Sequence, residues 1–340
     1  MKLGRNGANR WRTLFNRREI YDAVVPEEVL VLTAGVDVQD DRFEVEIVGW
    51  GVGKESWGIR YQKIYGDMLK EQVWEDLDAF LQTVWCKKDG TALRIISCCI
   101  DSGGHHTDQV YRFTKERYER GVWAIKGKGG AEVPYIRNPT TNNRVKTPLF
   151  IIGVDAGKVL LYQRLRHNTK GPNYCHFPAN EEAGYDETYF KGLTSEKMVV
   201  RFRKGRSVTV WELKDSKYKR NEPLDLRNYA TAALEIANPV LAKPEPGMAQ
   251  SPRGQAAAAL QEVFNGYFFK RNVPAEIEYM ACGGGKCSHR AKLSNRNKNV
   301  DAGRPETNPR GNGILGTKII RGGGRGKERR TQPPVPLCCP

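Results

Sequence analysis

The sequence predicts an α/β fold in which helices flank a mixed sheet. Short runs of apolar, largely β-branched residues follow one another closely after residue 29, and two of them end at aspartates, Asp37 and Asp101. An Ala-rich helical pattern begins near Asp225. Apolar runs of this length are typical of buried strands, whereas an acidic residue ahead of a periodic apolar stretch indicates a helix start.

The first three strands are predicted to form an antiparallel meander. They cover residues 30–37, 43–50 and 57–64. Asp40 and Asp41 lie in the connection between the first two strands, and a connection this short favours a hairpin. A helix follows, because the apolar side chains from Val73 to Val84 recur on one helical face.

The rest of the domain is predicted to alternate strands with helices. The strands cover 93–100, 122–125 and 149–154, and the helices cover 108–119, 156–166 and a final stretch after Pro223. Pro239 ends that last helix, since proline removes a backbone donor and clashes with the preceding turn. Three antiparallel strands followed by strands alternating with helices is the order of an RNase H-like fold.

This order predicts a metal site made of three carboxylates. The first and fourth strands of such a sheet are neighbours, so Asp37 and Asp101 are expected to meet at the strand ends, and the last helix can present Asp225 from its first turn. Carboxylates gathered in this way repel one another unless divalent cations lie between them, and Mg²⁺ and Mn²⁺ prefer oxygen ligands. We therefore predict that these aspartates are catalytic ligands of two Mg²⁺ ions, for which Mn²⁺ can substitute. Two such ions, about 3.5–4 Å apart, would support hydrolysis of a phosphodiester.

Each aspartate also has an ordinary structural explanation. Asp37 can begin a turn, Asp101 can begin a loop before Gly103, and Asp225 can cap a helix. Asp40 or Asp41 could replace one of the ligands, although their position in a turn favours exposure to solvent.

Three further residues are predicted to bind DNA or phosphate. Lys126 follows a strand in AIKGKGG and could pair with the scissile phosphate. His105 follows Asp101 on a glycine turn and could contact DNA or carry a proton. Lys158 lies at the start of a helix, where a phosphate could bind. Each is also compatible with an ordinary polar surface residue, and Asn221 is as well explained by a helix cap as by a site role.

Several sequence blocks together resemble a known family. They are LTAGVDVQDDRFEVEIVGWG, IDSGGHHTD, AIKGKGG, PLFIIGVDAGK and KRNEPLDLRNYATAALE. From about residue 16 to 238, their order and spacing resemble the nuclease half of the large terminase subunit of lambda-like tailed phages, the GpA type. The resemblance implies a DNA-packaging endonuclease of RNase H-like fold that cuts concatemeric phage DNA. It also implies double-stranded DNA as substrate, and the small terminase subunit and the portal protein as partners.

The segment GVDAGKVL is not an ATP site. A P-loop needs one more residue between its glycine and GK, and it needs Ser or Thr where Val159 stands. In the family an ATPase motor precedes the nuclease, so we expect this chain to cut DNA without driving translocation, with the motor on a separate segment if the gene is split. A catalytically degenerate remnant that only binds DNA or the packaging complex, and an RNase H-like resolvase or integrase, remain as alternatives.

Composition changes along the 340 residues, which carry a net charge of +16. Residues 281–340 contain thirteen Lys or Arg against three Asp or Glu, with recurring glycine runs. We predict a lead-in at 1–29 that is the remnant of a linker to the motor, a nuclease domain at 30–240, and a Pro/Gly-rich basic tail at 241–340 that is largely disordered. The basic surplus is consistent with a DNA substrate.

The cysteines favour a reducing compartment. Eight are scattered along the chain without a secretory signal, so the host cytoplasm is the expected setting and no disulfide framework is predicted. Cys282, Cys287 and His289 lack a second ligand pair at the spacing of a zinc site. No run of about eighteen apolar residues is present, so no membrane span is expected.

Overall fold

Eight strands form the main sheet of the computed structural model, which describes residues 10–141, 145–203, 205–215 and 220–242. The strands of the described chain are β1 (Val31–Val38), β2 (Arg42–Trp50), β3 (Ser56–Tyr65), β4 (Trp85–Cys86), β5 (Ala92–Leu93), β6 (Ile95–Asp101), β7 (Val122–Lys128), β8 (Thr140–Thr141), β9 (Pro148–Gly153), β10 (Cys175–His176), β11 (Glu196–Arg203) and β12 (Arg206–Leu213). The α-helices are α1 (Arg10–Asn16), α2 (Glu71–Leu81), α3 (Thr107–Lys115), α4 (Val154–Arg164), α5 (Glu187–Leu193) and α6 (Glu222–Ala237).

The strand order of the main sheet is β10-β3-β2-β1-β6-β7-β9-β8. β1, β2 and β3 pair in antiparallel fashion, which confirms the predicted meander. β1 pairs with β6 in parallel, as do β6 with β7 and β7 with β9. The central order β3-β2-β1-β6-β7 is that of an RNase H-like fold, so the predicted fold class and the predicted neighbourhood of the first and fourth long strands are confirmed.

The two faces of the sheet bury different side chains. Ala34 and Val36 of β1 join a core cluster with Val45 of β2 and with apolar residues of α2 and α3. Side chains alternate along a strand, so Thr33 and Asp37 lie on the opposite face. That face is covered by α6, which packs in turn against α4 and α5. Asp37 therefore lies on the face that carries the last helix.

The last helix lies directly on β1 because residue 35 has no side chain. A Cβ atom built on Gly35 would lie 2.2 Å from the carbonyl oxygen of Leu226 and 2.8 Å from the backbone nitrogen of Ala230. The Thr33 hydroxyl also donates to the Ala230 carbonyl at 2.7 Å. This close packing sets the position of the first turn of α6, and with it the position of Asp225.

Some element boundaries differ from the prediction. β1 continues one residue past Asp37, and β7 continues to Lys128, so Lys126 lies inside the strand and not after it. α2 ends at Leu81, and Val84 is exposed beyond it. The ends of strands depend on pairing with neighbouring strands, and the end of a helix depends on local burial. The pattern of residues within one element does not report either property.

Other elements were not predicted at all. They include α1, α5 and the β11–β12 hairpin, whose register runs from Glu196↔Leu213 to Arg203↔Arg206. The hairpin had a signal, because runs of β-branched residues lie on both sides of a Lys-Gly pair. α5 also had one, since the Asp186 side chain accepts from the backbone nitrogen of Tyr189 at 2.7 Å and so caps the helix.

The segment predicted as a lead-in packs against the domain. Leu14 is 1% exposed, and Val25 and Val29 are fully buried. The predicted tail from residue 243 onward, with Cys282, Cys287 and His289, lies outside the described residues. In the part of the chain that the structure describes, no helix combines the length and the apolar character that a membrane span requires.

Candidate functional site

Asp37 and Asp101 lie side by side at the carboxyl ends of β1 and β6. The parallel register pairs Val36 with Ile100, the residues just before the two aspartates. Both carboxylates line one pocket of about 490 Å³. The same pocket is lined by Gln39, Asp40, Gly103, His105, Lys126 and Tyr229, among others. The sheet topology therefore brings two of the three predicted ligands together.

The Asp37 carboxylate lies in an environment that opposes its charge. Burial, and then the negative charge of Asp101, raise the pKa of Asp37 to about 7. The Gln39 amide opposes this rise by donating to Asp37 Oδ2 at 2.5 Å. Asp225 also acts in the raising direction. A cation bound in the pocket would offset the cost of ionising Asp37. An environment of this kind favours a cation site.

The Asp101 carboxylate is surrounded by hydrogen-bond donors. The backbone nitrogen of Gly103 donates to Oδ1 at 3.0 Å, and the backbone of Ser102 and the Tyr229 hydroxyl are close enough to act on the same carboxylate. Burial raises the pKa of Asp101, whereas these donors and the positive charge of Lys126 lower it. The Gly103 bond thus fixes one oxygen of the Asp101 carboxylate.

Asp225 lies in the first turn of α6 but does not line that pocket. Its Oδ1 is 3.2 Å from the ammonium of Lys158, and its Oδ2 accepts from Asn221 Nδ2 at 2.8 Å. Burial raises the pKa of Asp225 to about 6, although Lys158 opposes the rise. Within the described residues, no three acidic, histidine or cysteine side chains lie close enough together to hold one metal ion. Joining Asp225 to the other two would require its release from Lys158.

Lys158 is held inside the protein by two carboxylates. Its side chain is 10% exposed, and its ammonium lies 3.0 and 2.9 Å from the two carboxylate oxygens of Glu196. The predicted contact between Lys158 and a DNA phosphate is therefore not possible in this arrangement, because the charge points to Glu196 and Asp225. Glu196 opens β11, an element that was not predicted, so the sequence contained no sign of this partner.

Lys126 and His105 both line the pocket that holds Asp37 and Asp101. Lys126 is exposed on β7 and is close enough to Asp101 to lower the pKa of that carboxyl. His105 is exposed, with Nδ1 3.1 Å from Asp40 Oδ1. Both side chains are free to meet a phosphate that enters the pocket. Their roles stay predictions.

Sequence reasoning missed Gln39, Glu196 and Tyr229. Tyr229 is one helical turn after Asp225, and residues four apart on a helix share a face, so its approach to the carboxylates had a detectable signal. Gln39 follows Asp37 by two residues and had a weaker one. Glu196 had none, since it meets Lys158 across 38 residues of sequence.

A family model described as the endonuclease domain of the terminase large subunit gpA matches residues 4–243. The chain is 36% identical over 225 residues to the terminase large subunit of Escherichia phage lambda, an alignment that covers 65% of this chain and 34% of that protein. It is 32% identical over 222 residues to the terminase large subunit of Enterobacteria phage P21, covering 64% of this chain and 34% of the relative. The chain thus spans about a third of the length of these curated relatives.

A solved structure also aligns with the chain. It is a mutant nuclease domain of the large terminase subunit gp2 of bacterial virus Sf6 with manganese. The alignment has 16% sequence identity and a TM-score of 0.37, and it covers 69% of this chain and 98% of that one.

Proposed function

Because the chain belongs to the endonuclease-domain family of the terminase large subunit gpA, we propose that it is a divalent-metal-dependent endodeoxyribonuclease acting in phage genome packaging. One observation carries the proposal: Asp37 and Asp101 meet in an open pocket that also presents Lys126. Adjacent carboxylates beside an exposed ammonium suit a substrate that is an anionic phosphodiester and a cofactor that is a cation.

We propose that Asp37, Asp101 and Asp225 hold two Mg²⁺ ions, which Mn²⁺ can replace. The donor set fits hard cations, because all three side chains offer carboxylate oxygens and each acts on another to disfavour ionisation. When bound, the ions supply charge stabilisation for in-line hydrolysis of the phosphodiester. Asp225 would join the other two after its ion pair with Lys158 opens.

The side chains around the carboxylates have distinct proposed roles. Lys126 pairs with the scissile phosphate, since it is an exposed cation that lines the pocket and acts on Asp101. His105 contacts DNA from the rim of the pocket. For Lys158 the burial of its ammonium supports neutralisation of Asp225 and not a contact with DNA. Double-stranded DNA is the proposed substrate, and cutting of concatemers with the small terminase subunit and the portal protein is proposed from family membership.

We expect the full chain to cut supercoiled and linear DNA in the presence of Mg²⁺ or Mn²⁺, and not in EDTA. The cuts should be scattered and should not respond to ATP, since this chain has no P-loop and the proposed chemistry acts on the phosphodiester and not on a base. Gel analysis of the products, with and without ATP, measures both properties.

Three results would contradict this expectation in different ways. Sharp cutting at one sequence would indicate a specificity element, and ATP-stimulated cutting would indicate a nucleotide site. DNA binding without any metal-dependent cutting would favour the degenerate remnant over the nuclease.

We also propose that the catalytic domain ends near residue 240. Its support is the end of α6 at Ala237 and the composition change that follows. A chain ending at Ala242 is expected to keep metal-dependent cleavage but to bind DNA more weakly and with a smaller salt dependence, because basic residues are removed. Circular dichroism and cleavage at several salt concentrations test this. Loss of folding would place part of the removed segment in the domain.

A further inference from the structure

Tyr229 of α6 lies among the three candidate ligands. Its side chain is 6% exposed and lines the same pocket as Asp101, and its hydroxyl is close enough to act on the Asp101 carboxylate. The charges of Asp225, Asp101 and Asp37 all act on this hydroxyl, so it is an uncharged donor within the electrostatic field of the three carboxylates.

We propose that Tyr229 is a positioning residue of the metal centre, whose hydroxyl holds the Asp101 carboxylate in the orientation that binds the cation. The inference rests on the proposed function and adds to it a residue that contributes no ligand atom. Hydrogen bonds to ligating carboxylates fix their orientation and raise metal affinity in other proteins. The Gly103 amide supplies one such bond to Asp101, and the proposed bond from Tyr229 is the second.

The tyrosine ring is held firmly enough to perform this task. It belongs to an apolar cluster with Cys99 of β6, Ile125 of β7 and Phe150 of β9. Its Cβ lies 3.0 Å from the position that a Cβ on residue 35 would take, so β1 lies directly against it. This packing holds the ring against one face of the sheet, so it has little freedom to turn and the hydroxyl stays at one point.

The test removes one oxygen atom. Tyr229→Phe keeps the ring in its cluster and deletes the donor to Asp101. The control is Tyr135→Phe, because the Tyr135 hydroxyl is also buried and donates to α6, to the Asn228 carbonyl at 2.7 Å, without contacting any candidate ligand. Both variants are made in the full chain, and Mn²⁺ affinity is measured by titration calorimetry and by electron paramagnetic resonance of free Mn²⁺.

We expect Tyr229→Phe to weaken Mn²⁺ binding about 10- to 100-fold, the range seen when a hydrogen bond to a ligand is lost. Cleavage should fall at low Mn²⁺ and recover at saturating Mn²⁺, whereas a general structural defect would not be rescued by metal. Tyr135→Phe should lose stability but keep the parent's Mn²⁺ affinity. Equal Mn²⁺ affinity of Tyr229→Phe and the parent would overturn the inference while leaving the proposed function intact.

A parent chain that binds no Mn²⁺ would overturn both the inference and the proposed function. If Tyr229→Phe does not fold, the parent is tested by NMR of its ring-labelled tyrosines during titration with diamagnetic Mg²⁺. The Tyr229 signal should then move, because the carboxylate it bonds changes its charge environment. An unmoved Tyr229 signal at saturating Mg²⁺ would overturn the inference.

Discussion

Asp37→Asn is expected to remove metal-dependent cleavage while the fold persists. The change keeps the size of the side chain but replaces a carboxylate oxygen with an amide, so one charged ligand is lost. Because loss of a partner outside the ligand shell alone costs about 10- to 100-fold, we expect cleavage to fall by more than about 100-fold. Mn²⁺ affinity and plasmid cleavage, measured together, should decline in parallel.

The same variant should be more stable than the parent when metal is absent. The pKa of Asp37 is raised from 3.8 to about 7, so between about pH 4 and pH 7 the folded protein keeps a proton that the unfolded chain has released. Raising the pH through this window therefore lowers the free energy of unfolding of the parent. Asp37→Asn removes this loss, so above pH 7 in EDTA its free energy of unfolding should exceed that of the parent by on the order of 2 kcal/mol. This is less than the full pKa shift would give, because water reaches the pocket and screens the charge.

Urea denaturation in EDTA at pH 4.5 and pH 8 measures this effect on the free energy of unfolding. The control is Asp186→Asn, since Asn also caps helices and residue 186 caps α5 away from the pocket. The control should change neither cleavage nor the pH dependence of stability. If Asp37→Asn cuts plasmid as well as the parent does, Asp37 is not a ligand.

Gly35→Ala should disrupt the site without touching any candidate ligand. The added methyl group would lie 2.2 Å from the Leu226 carbonyl oxygen and 2.8 Å from the Ala230 nitrogen, both of which are backbone atoms of α6. Backbone cannot turn aside as a side chain can, so the whole helix must move away from β1. We expect a loss of about 3 kcal/mol, the upper part of the range for overpacked cores, and a fall of about 6–12 °C in Tm.

Cleavage should fall further than stability alone explains, because Asp225 and Tyr229 both move with α6. Activity is therefore measured at a temperature where the variant is still folded by circular dichroism. The matched control is Gly129→Ala, since a Cβ there meets nothing closer than 3.6 Å. Parental stability and cleavage in Gly35→Ala would mean that α6 can shift without cost, contrary to the packing described above.

Local patterns in the sequence were sufficient to predict much of the sheet. β1 and β6 are short continuous apolar runs, β2 and β3 mix apolar residues with polar ones in part by alternation, and α6 carries an Ala-rich pattern after a proline, so each is encoded within its own residues. The predicted order of strands then implied that Asp37 and Asp101 would be neighbours, because adjacent parallel strands end at the same edge. The meeting of these two carboxylates was therefore predictable from the residues alone.

The partners of Asp225 and of Lys158 were not predictable in this way. The ion pair between Lys158 and Glu196 depends on a hairpin that packs beside α4 and α6, and the bond from Thr33 to Ala230 joins residues separated by 197 positions. Periodicity reports which face of an element is buried, but it does not report which distant segment covers that face. Which ammonium neutralises Asp225, and which residue of the helix lines the pocket beside Asp101, follow from the packing of α6 on Gly35, since that contact sets the height and rotation of the helix over the sheet.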